Sequence, residues 1–206
     1  AMPDPDIQSP RDFDIRDCRT ALLWALALLC ALPLVVFHRF LFGGDLYIFK
    51  DIGSDTYNQF YPFLVHLNDY FRRDGIPTWS FAVGMGQNIF PAGIQEPFMM
   101  LPILSGKKLL PHMIVYVEIA KVVLTGLAAF AFCRSRGFRP AICATGSVTL
   151  AYSGYMILAG GWYGHATTML YGTLLAWAAE HFVRTRNGPA LAAAFFLIAT
   201  RSAFYV

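Results

Sequence analysis

The sequence predicts an all-α, polytopic membrane protein with about five transmembrane helices and an extracytoplasmic loop that carries interfacial amphipathic helices. Of the 206 residues, 56% are hydrophobic and only 14% are charged, and the mean hydropathy is +0.48. Soluble domains carry roughly 25% charged residues. Long apolar segments also follow one another along the chain, and the basic residues lie in the loops that border them. This distribution favours a protein built in the lipid bilayer and argues against nucleic-acid binding.

The first predicted span covers residues 20–42. This segment is apolar except for His38 and Arg39 near its end, and about 20 apolar residues are enough for a helix to cross the hydrocarbon. Residues 1–19 are polar and contain prolines, without the basic start of a cleaved signal peptide. We therefore expect a cytoplasmic N-terminal tail at 1–19 and a transmembrane module at 20–206, whose first extracytoplasmic loop covers 43–112.

Four further spans are predicted at 113–132, at 140–158, at 166–182 and from Pro189 onward. The last of these is still apolar at Val206 and contains Arg201. A helix that stopped inside lipid would leave its last four carbonyl groups without hydrogen-bond partners. The chain is therefore expected to be truncated within its fifth span.

Eight arginines predict the orientation. They precede the first span, separate the second from the third and separate the fourth from the fifth: Arg11, Arg16, Arg19, Arg134, Arg136, Arg139, Arg184 and Arg186. The short loop GGWYGH between the third and fourth spans has no lysine or arginine. Because short cytoplasmic loops are enriched in these residues, the N-terminus is predicted to be cytoplasmic. The long first loop and residues 162–165 then share the extracytoplasmic face.

Within the first loop, an amphipathic helix is predicted to begin at Asp55. Large apolar side chains recur there at three- and four-residue spacing: Tyr57, Phe60, Tyr61, Leu64, Leu67 and Phe71. This period is typical of a helix with one apolar face, and its aromatic content favours a position in the membrane interface. Pro62 is expected to bend this helix or to end its first segment. A second short apolar helix is predicted at 96–104.

Two acidic residues of this loop, Asp51 and Asp55, are the candidate catalytic residues. A carboxylate at the mouth of a span can act as a general base towards an acceptor hydroxyl, or it can bind a divalent cation that neutralises a phosphate. No cofactor is assigned, and a divalent cation is left open. The alternative is that both residues only cap helices or form turns. His165, in the other loop of the same face, is a candidate substrate-binding residue or a solvated histidine.

Charged residues inside the predicted spans are a second signal. Glu118 and Lys121 are three residues apart, so they lie on one helix face and can pair. Ionisable groups at that depth cost about 2.5–3.5 kcal/mol each and usually face a cavity or a pathway. The alternative is a structural ion pair without a substrate. Arg201 either faces the same cavity or lies near an interface.

The motifs of the first loop resemble a known family. In GSDTYNQFYPFLVHLNDYFRRDGIPTWSFAVGMGQN, an Asp precedes a Gln and a Tyr-Pro-Phe cluster, then a Gly-x-Pro-x-Trp turn and a Gly-x-Gly-x-Asn loop. This order resembles the first-loop signature of the bacterial YfhO-like membrane proteins. Lys121 is similar to a lysine of that family, and AYSGYMILAGGWYGHATTMLYGTLLAWAAEHFVR resembles its third and fourth spans. The resemblance covers about residues 42–184.

The resemblance implies a GT-C type glycosyltransferase in the bacterial inner (plasma) membrane, with a polyprenyl-phosphate sugar as donor. Asp55 matches the catalytic loop Asp of the family, as general base or acceptor-orienting group, and Asp51 is the second choice. Gln59 would be a supporting polar contact, and Lys121 would interact with the donor phosphate. Members of the family are several times longer, so activity of this chain alone is left open.

Two other function classes stay open. A non-catalytic membrane subunit or scaffold would pack against other membrane proteins, and the small residues of GLAAFAF, ATGSV and LAAAF suit close helix contacts. A transporter could line its path with the buried charges, although no inverted repeat is visible in the sequence. A scaffold requires neither Asp55 nor Lys121, whereas a transporter moves its solute without breaking a bond.

Overall fold

The computed structural model describes residues 15–50, 55–76, 78–89, 97–158 and 162–202, and these are mostly helical. The helices are α1 (Ile15–Val36), α2 (His38–Leu41), a π-helical turn (Thr56–Phe60), α3 (Tyr61–Arg73), α4 (Pro97–Ser105), α5 (Leu110–Ser135), α6 (Pro140–Ala151), α7 (Gly154–Leu158), α8 (Gly164–Thr185) and α9 (Pro189–Ser202). A short antiparallel hairpin of β1 (Trp79–Ser80) and β2 (Gln87–Asn88) follows α3.

Three segments are long and apolar enough to cross a membrane: Arg16–Val36, Leu110–Ser135 and Pro140–Leu158. Pro189–Ala199 is apolar but shorter, and α8 is not among the three although it has 22 residues. A mostly helical protein with several candidate spans is therefore confirmed. The total of five spans stays a prediction, as does the GT-C type of fold.

The first span ends six residues earlier than predicted. Phe37 leaves the helical conformation, and α2 follows as a single turn. The side chains of this turn bind neighbouring groups: His38 Nδ1 lies 2.8 Å from the carbonyl oxygen of Val35, and Arg39 forms an ion pair with Asp45 at 2.9 Å. The polar residues at the end of the apolar segment therefore belong to a separate turn and do not extend α1.

The third predicted span is two helices with a break between them. Helix α6 ends at Ala151, and α7 begins at Gly154. At the break, the hydroxyl group of Tyr152 donates a hydrogen bond to the carbonyl oxygen of Leu29 at 2.8 Å. The break is thus a point where this segment is attached to α1.

Helix α5 lies at the centre and packs against α1, α4, α6 and α8. In its most apolar stretch 61% of the residues are buried, compared with 17% in α1. The close approach of α1 depends on Gly126, because a Cβ atom at this position would lie 2.5 Å from Leu29 Cδ2. Glycine at such a crossing lets two helices approach more closely than larger residues allow.

The loops form two groups, one at each end of the helices. At one end, Ala25, Phe130 and Cys143 form a buried cluster. Glu180 in α8 pairs with both Arg136 and Arg184, at 2.9 and 2.5 Å. At the other end, the first loop packs against Tyr163. The orientation that the arginines indicate stays a prediction.

Candidate functional site

Asp55 stands at the entrance of the π-helical turn. Its backbone is already helical, and its side chain makes no capping hydrogen bond. The carboxylate instead accepts a hydrogen bond from Gln59 Nε2 at 3.1 Å, so the structure brings together these two predicted site residues. The side chain of Asp55 is partly exposed. The choice between a functional role and a structural role for this carboxylate stays a prediction.

The π-helical turn has a local cause in the sequence. The N–H group of Tyr61 bonds to the carbonyl oxygen of Thr56, five residues back, and Pro62 follows at once. Proline has no N–H group to continue the regular helical pattern. The change of helix type at this point agrees with the predicted bend at Pro62. Single π-helical turns occur frequently at functional sites.

Two other predicted residues cannot be placed. Asp51 lies outside the residues that the structure describes. For Arg201, only the backbone within α9 is described. Their proposed roles therefore remain predictions from the sequence.

Tyr163 connects the first loop, the short loop between the third and fourth segments, and α5. Its ring lies 6.3 Å from the Phe60 ring, between centroids. Its carbonyl oxygen accepts a hydrogen bond from Lys121 Nζ at 2.8 Å, and its hydroxyl group donates to the carbonyl oxygen of Tyr47 at 2.9 Å. Burial, with the added effect of the Glu118 carboxylate, raises the pKa of this phenol far above its usual value. Tyr163 therefore stays neutral and remains a hydrogen-bond donor.

Lys121 and Glu118 form the ion pair that their spacing predicts. Lys121 Nζ lies 2.8 Å from Glu118 Oε1, and the two residues are 0% and 1% exposed. The ammonium group thus has at least two acceptors, the carboxylate on its own helix and the carbonyl oxygen of Tyr163. Lys121 holds the short loop onto α5 in this arrangement.

His165 lies in the first turn of α8, two residues after Tyr163. Its ring stacks on Trp162, with 5.6 Å between centroids and 27° between planes. The Trp162 ring also lies beside the π-helical turn, since its centroid is 6.4 Å from that of the Phe60 ring. Trp162 therefore contacts both His165 and the turn that begins beside Asp55.

The rest of the first loop is a packed unit. Asn68 is buried and donates a hydrogen bond to the carbonyl oxygen of Ile103 in α4, and Asp69 pairs with Lys107 at 2.6 Å. The hydroxyl group of Tyr70 donates to the carbonyl oxygen of Trp79 at 3.1 Å, which attaches the hairpin to α3. The hydrogen bond from Lys107 holds the pKa of the Asp69 carboxyl below its usual value. The loop thus provides a fixed support for the π-helical turn.

Sequence reasoning missed the role of Tyr163. The available signal was the aromatic pair of Trp162 and Tyr163 in a short loop flanked by glycines. In the described parts of the chain, no group of three or more His, Cys, Asp and Glu side chains is placed to hold a metal ion.

Comparison with known protein families identifies a match over most of the chain. The model of the family described as bacterial membrane protein YfhO matches residues 25–205, which is most of the chain. No curated protein and no solved structure matches it. The matched region includes the π-helical turn, the Lys121 and Glu118 pair and the loop of Tyr163. The chain therefore belongs to the YfhO family of bacterial membrane proteins.

Proposed function

We propose that this chain is the N-terminal part of a membrane glycosyltransferase that transfers a sugar from a polyprenyl-phosphate donor to an extracytoplasmic acceptor. The observation that carries the proposal is the junction at Tyr163. Through this residue, the turn beside Asp55 and the buried Lys121 belong to one connected structure. In this proposal the loop carboxylate is the base for the acceptor, and the buried cation holds the adjoining loop in place.

Asp55 is the general base in this proposal. The acceptor hydroxyl attacks the anomeric carbon of the sugar, the bond from that carbon to the phosphate oxygen breaks, and polyprenyl phosphate leaves. Asp55 takes the proton of the hydroxyl group and becomes neutral, and the leaving polyprenyl phosphate carries the additional negative charge. Gln59 holds the carboxylate in place through the bond at 3.1 Å. Direct attack of this kind inverts the configuration at the anomeric carbon.

Lys121 supports the site from α5. Its ammonium group is 0% exposed and is neutralised by Glu118 at 2.8 Å, so in this arrangement it does not reach the donor phosphate. Because its Nζ binds Glu118 and Tyr163, we assign Lys121 a positioning role that keeps the short loop against the π-helical turn. His165, on the same side, is proposed as a contact for the substrate, and Arg201 as a further one.

The test measures sugar transfer by the full-length natural protein. The protein is reconstituted into liposomes with a radiolabelled polyprenyl-phosphate sugar, and the release of polyprenyl phosphate is followed. Asp55→Asn should lower the turnover by about 10²–10⁴-fold, the usual contribution of a general base. The control is Asp74→Asn, which changes an exposed carboxylate of the same loop. Equal turnover in both variants would refute the role of Asp55.

A non-catalytic subunit is the second candidate. The small residues of LAAAF in α9 are mostly exposed, so they remain available for contacts with another membrane protein. In GLAAFAF, by contrast, Gly126, Ala128 and Ala129 are buried within this chain. A stable complex with a partner, combined with full function of the Asp55→Asn variant in cells, would favour the scaffold.

A further inference from the structure

Basic side chains at the end of α3 and just before α5 form one exposed group. This basic group consists of Arg72, Arg73, Lys107 and Lys108. Two contacts hold its two halves together. Lys107 pairs with Asp69 of α3 at 2.6 Å, and the Arg72 guanidinium covers Gly106 so closely that a Cβ atom at this glycine would collide with it. The end of α3 is therefore fixed against the start of α5.

The basic group has more positive charge than the acidic residues beside it balance. Its four cations are accompanied by two carboxylates, those of Asp69 and Asp74, which leaves a net charge of +2. Within the parts of the chain that the structure describes, Arg72, Arg73 and Lys108 form no ion pair. Their charges are thus available to an anion outside the protein.

Helix α5 sets the depth of the basic group in the bilayer. The helix has 26 residues, which is about 39 Å at about 1.5 Å per residue. A bilayer with its headgroup regions is about 40–45 Å thick, so both ends of a membrane-crossing α5 lie at headgroup level. Arg134 is in its last turn, and Lys107 and Lys108 directly precede its first. The basic group therefore lies at the level of the lipid phosphates.

Exposed aromatic side chains of the hairpin lie beside the basic group. The hydroxyl group of Tyr70 donates to the carbonyl oxygen of Trp79, which holds β1 near the end of α3. The Trp79 ring contacts that of Phe81, with 6.3 Å between centroids, and Phe81 is 82% exposed. Aromatic rings next to cations are typical of segments in the membrane interface. A soluble anion would leave these rings in water, whereas a lipid covers both the rings and the charges.

We propose that the basic group binds the phosphate groups of anionic phospholipids, while Trp79 and Phe81 enter the same leaflet. Guanidinium and ammonium groups form charge-assisted hydrogen bonds to phosphate oxygens. The net charge of the basic group favours phosphatidylglycerol, which is anionic, over phosphatidylcholine, which is zwitterionic. Each basic residue near an anionic membrane surface contributes a factor of about five to binding. The binding holds α3 and the hairpin at the membrane surface, and it does not depend on the proposed enzymatic activity.

The test identifies the lipid that contacts the hairpin. The full-length natural protein, with Phe81→p-benzoylphenylalanine, is reconstituted into liposomes of equimolar dioleoylphosphatidylglycerol and dioleoylphosphatidylcholine. After irradiation, mass spectrometry of the peptide that contains position 81 counts the adducts with each lipid. Phosphatidylglycerol adducts should exceed phosphatidylcholine adducts at least about fivefold. Arg72→Gln with Arg73→Gln removes the net charge of the basic group, so the ratio should fall to about one.

The matched control removes two exposed arginines at the opposite end of the helices. Arg139→Gln with Arg186→Gln deletes the same charge and should leave the ratio unchanged. Circular dichroism checks the fold of each variant, and Arg73→Gln with Lys108→Gln replaces the first pair if that pair does not fold. An unchanged ratio in the folded variants of the basic group would overturn the proposal, as would the absence of lipid adducts at position 81. Loss of the preference upon addition of inorganic phosphate at constant ionic strength would indicate a site for a soluble anion and would also overturn it.

Discussion

Replacement of Lys121 by methionine tests the buried ion pair. The change keeps a long, unbranched side chain in α5 but removes the ammonium group. Glu118, which is 1% exposed, then loses the partner at 2.8 Å, and the carbonyl oxygen of Tyr163 loses its donor. Breaking a buried ion pair by removal of one partner costs about 3–5 kcal/mol. We expect Lys121→Met to lower the free energy of unfolding by about this amount.

The measurement is unfolding in mixed micelles with increasing denaturing detergent, followed by circular dichroism. The double variant Lys121→Met with Glu118→Gln should recover about 1–3 kcal/mol relative to Lys121→Met alone, because no buried charge remains unbalanced. Lys107→Met serves as the control, since this lysine is half-exposed and pairs with Asp69 at the surface. A loss below about 1 kcal/mol for Lys121→Met, the range of a surface pair, would refute the structural role of this lysine.

Two further predictions concern the first loop and the contact between α1 and α5. Because the pKa of Asp69 is lowered in the folded protein, its contribution to the stability of the loop is present above about pH 4, the unfolded value, and is lost as the pH falls through the lowered pKa. The hydrogen-exchange rate of α3, corrected for intrinsic rates, should rise as the pH falls over that range. Asp69→Asn should abolish this pH dependence, and a rise that persists in the variant would contradict the role of Asp69. Gly126→Leu should destabilise by about 1–3 kcal/mol through overpacking against Leu29. Leu29→Ala in the same chain should recover part of that loss in thermal unfolding, and a stable single variant would contradict the close contact.

The helices were predictable where composition alone determines them. The segment at 140–158 has the predicted limits, and Pro140 stands at its start, where proline is favoured in a helix. Helix α5 extends three residues beyond the prediction at each end. Pro111 lies in its first turn, where proline is tolerated because its missing N–H group has no partner there. The breaks at Phe37 and Tyr152 were not predictable, because they depend on packing and on a hydrogen bond to Leu29, 123 residues away in sequence.

The candidate site was predictable only in part. The spacing of Asp55 and Gln59 is local, and so is that of Glu118 and Lys121, so both pairs follow from the helical period. The bond from Lys121 to Tyr163 joins residues 42 positions apart, and no periodic pattern reports such a contact. The hairpin of β1 and β2 was missed because two-residue strands leave no alternation of apolar and polar residues to detect.

Tyr163 binds α5 through its carbonyl oxygen and the first loop through its hydroxyl group. A displacement of this one residue therefore alters the surroundings of Lys121 and of Tyr47 together. If a ligand bound at the first loop shifts Tyr163, the affinity of the protein for an anion near α5 changes. Linkage then requires that the anion change the affinity for the first ligand by the same factor. In the proposed glycosyltransferase, the affinities for donor and acceptor would then be thermodynamically coupled. Tyr163→Phe keeps the ring and removes the hydrogen bond to Tyr47, so it should weaken that coupling.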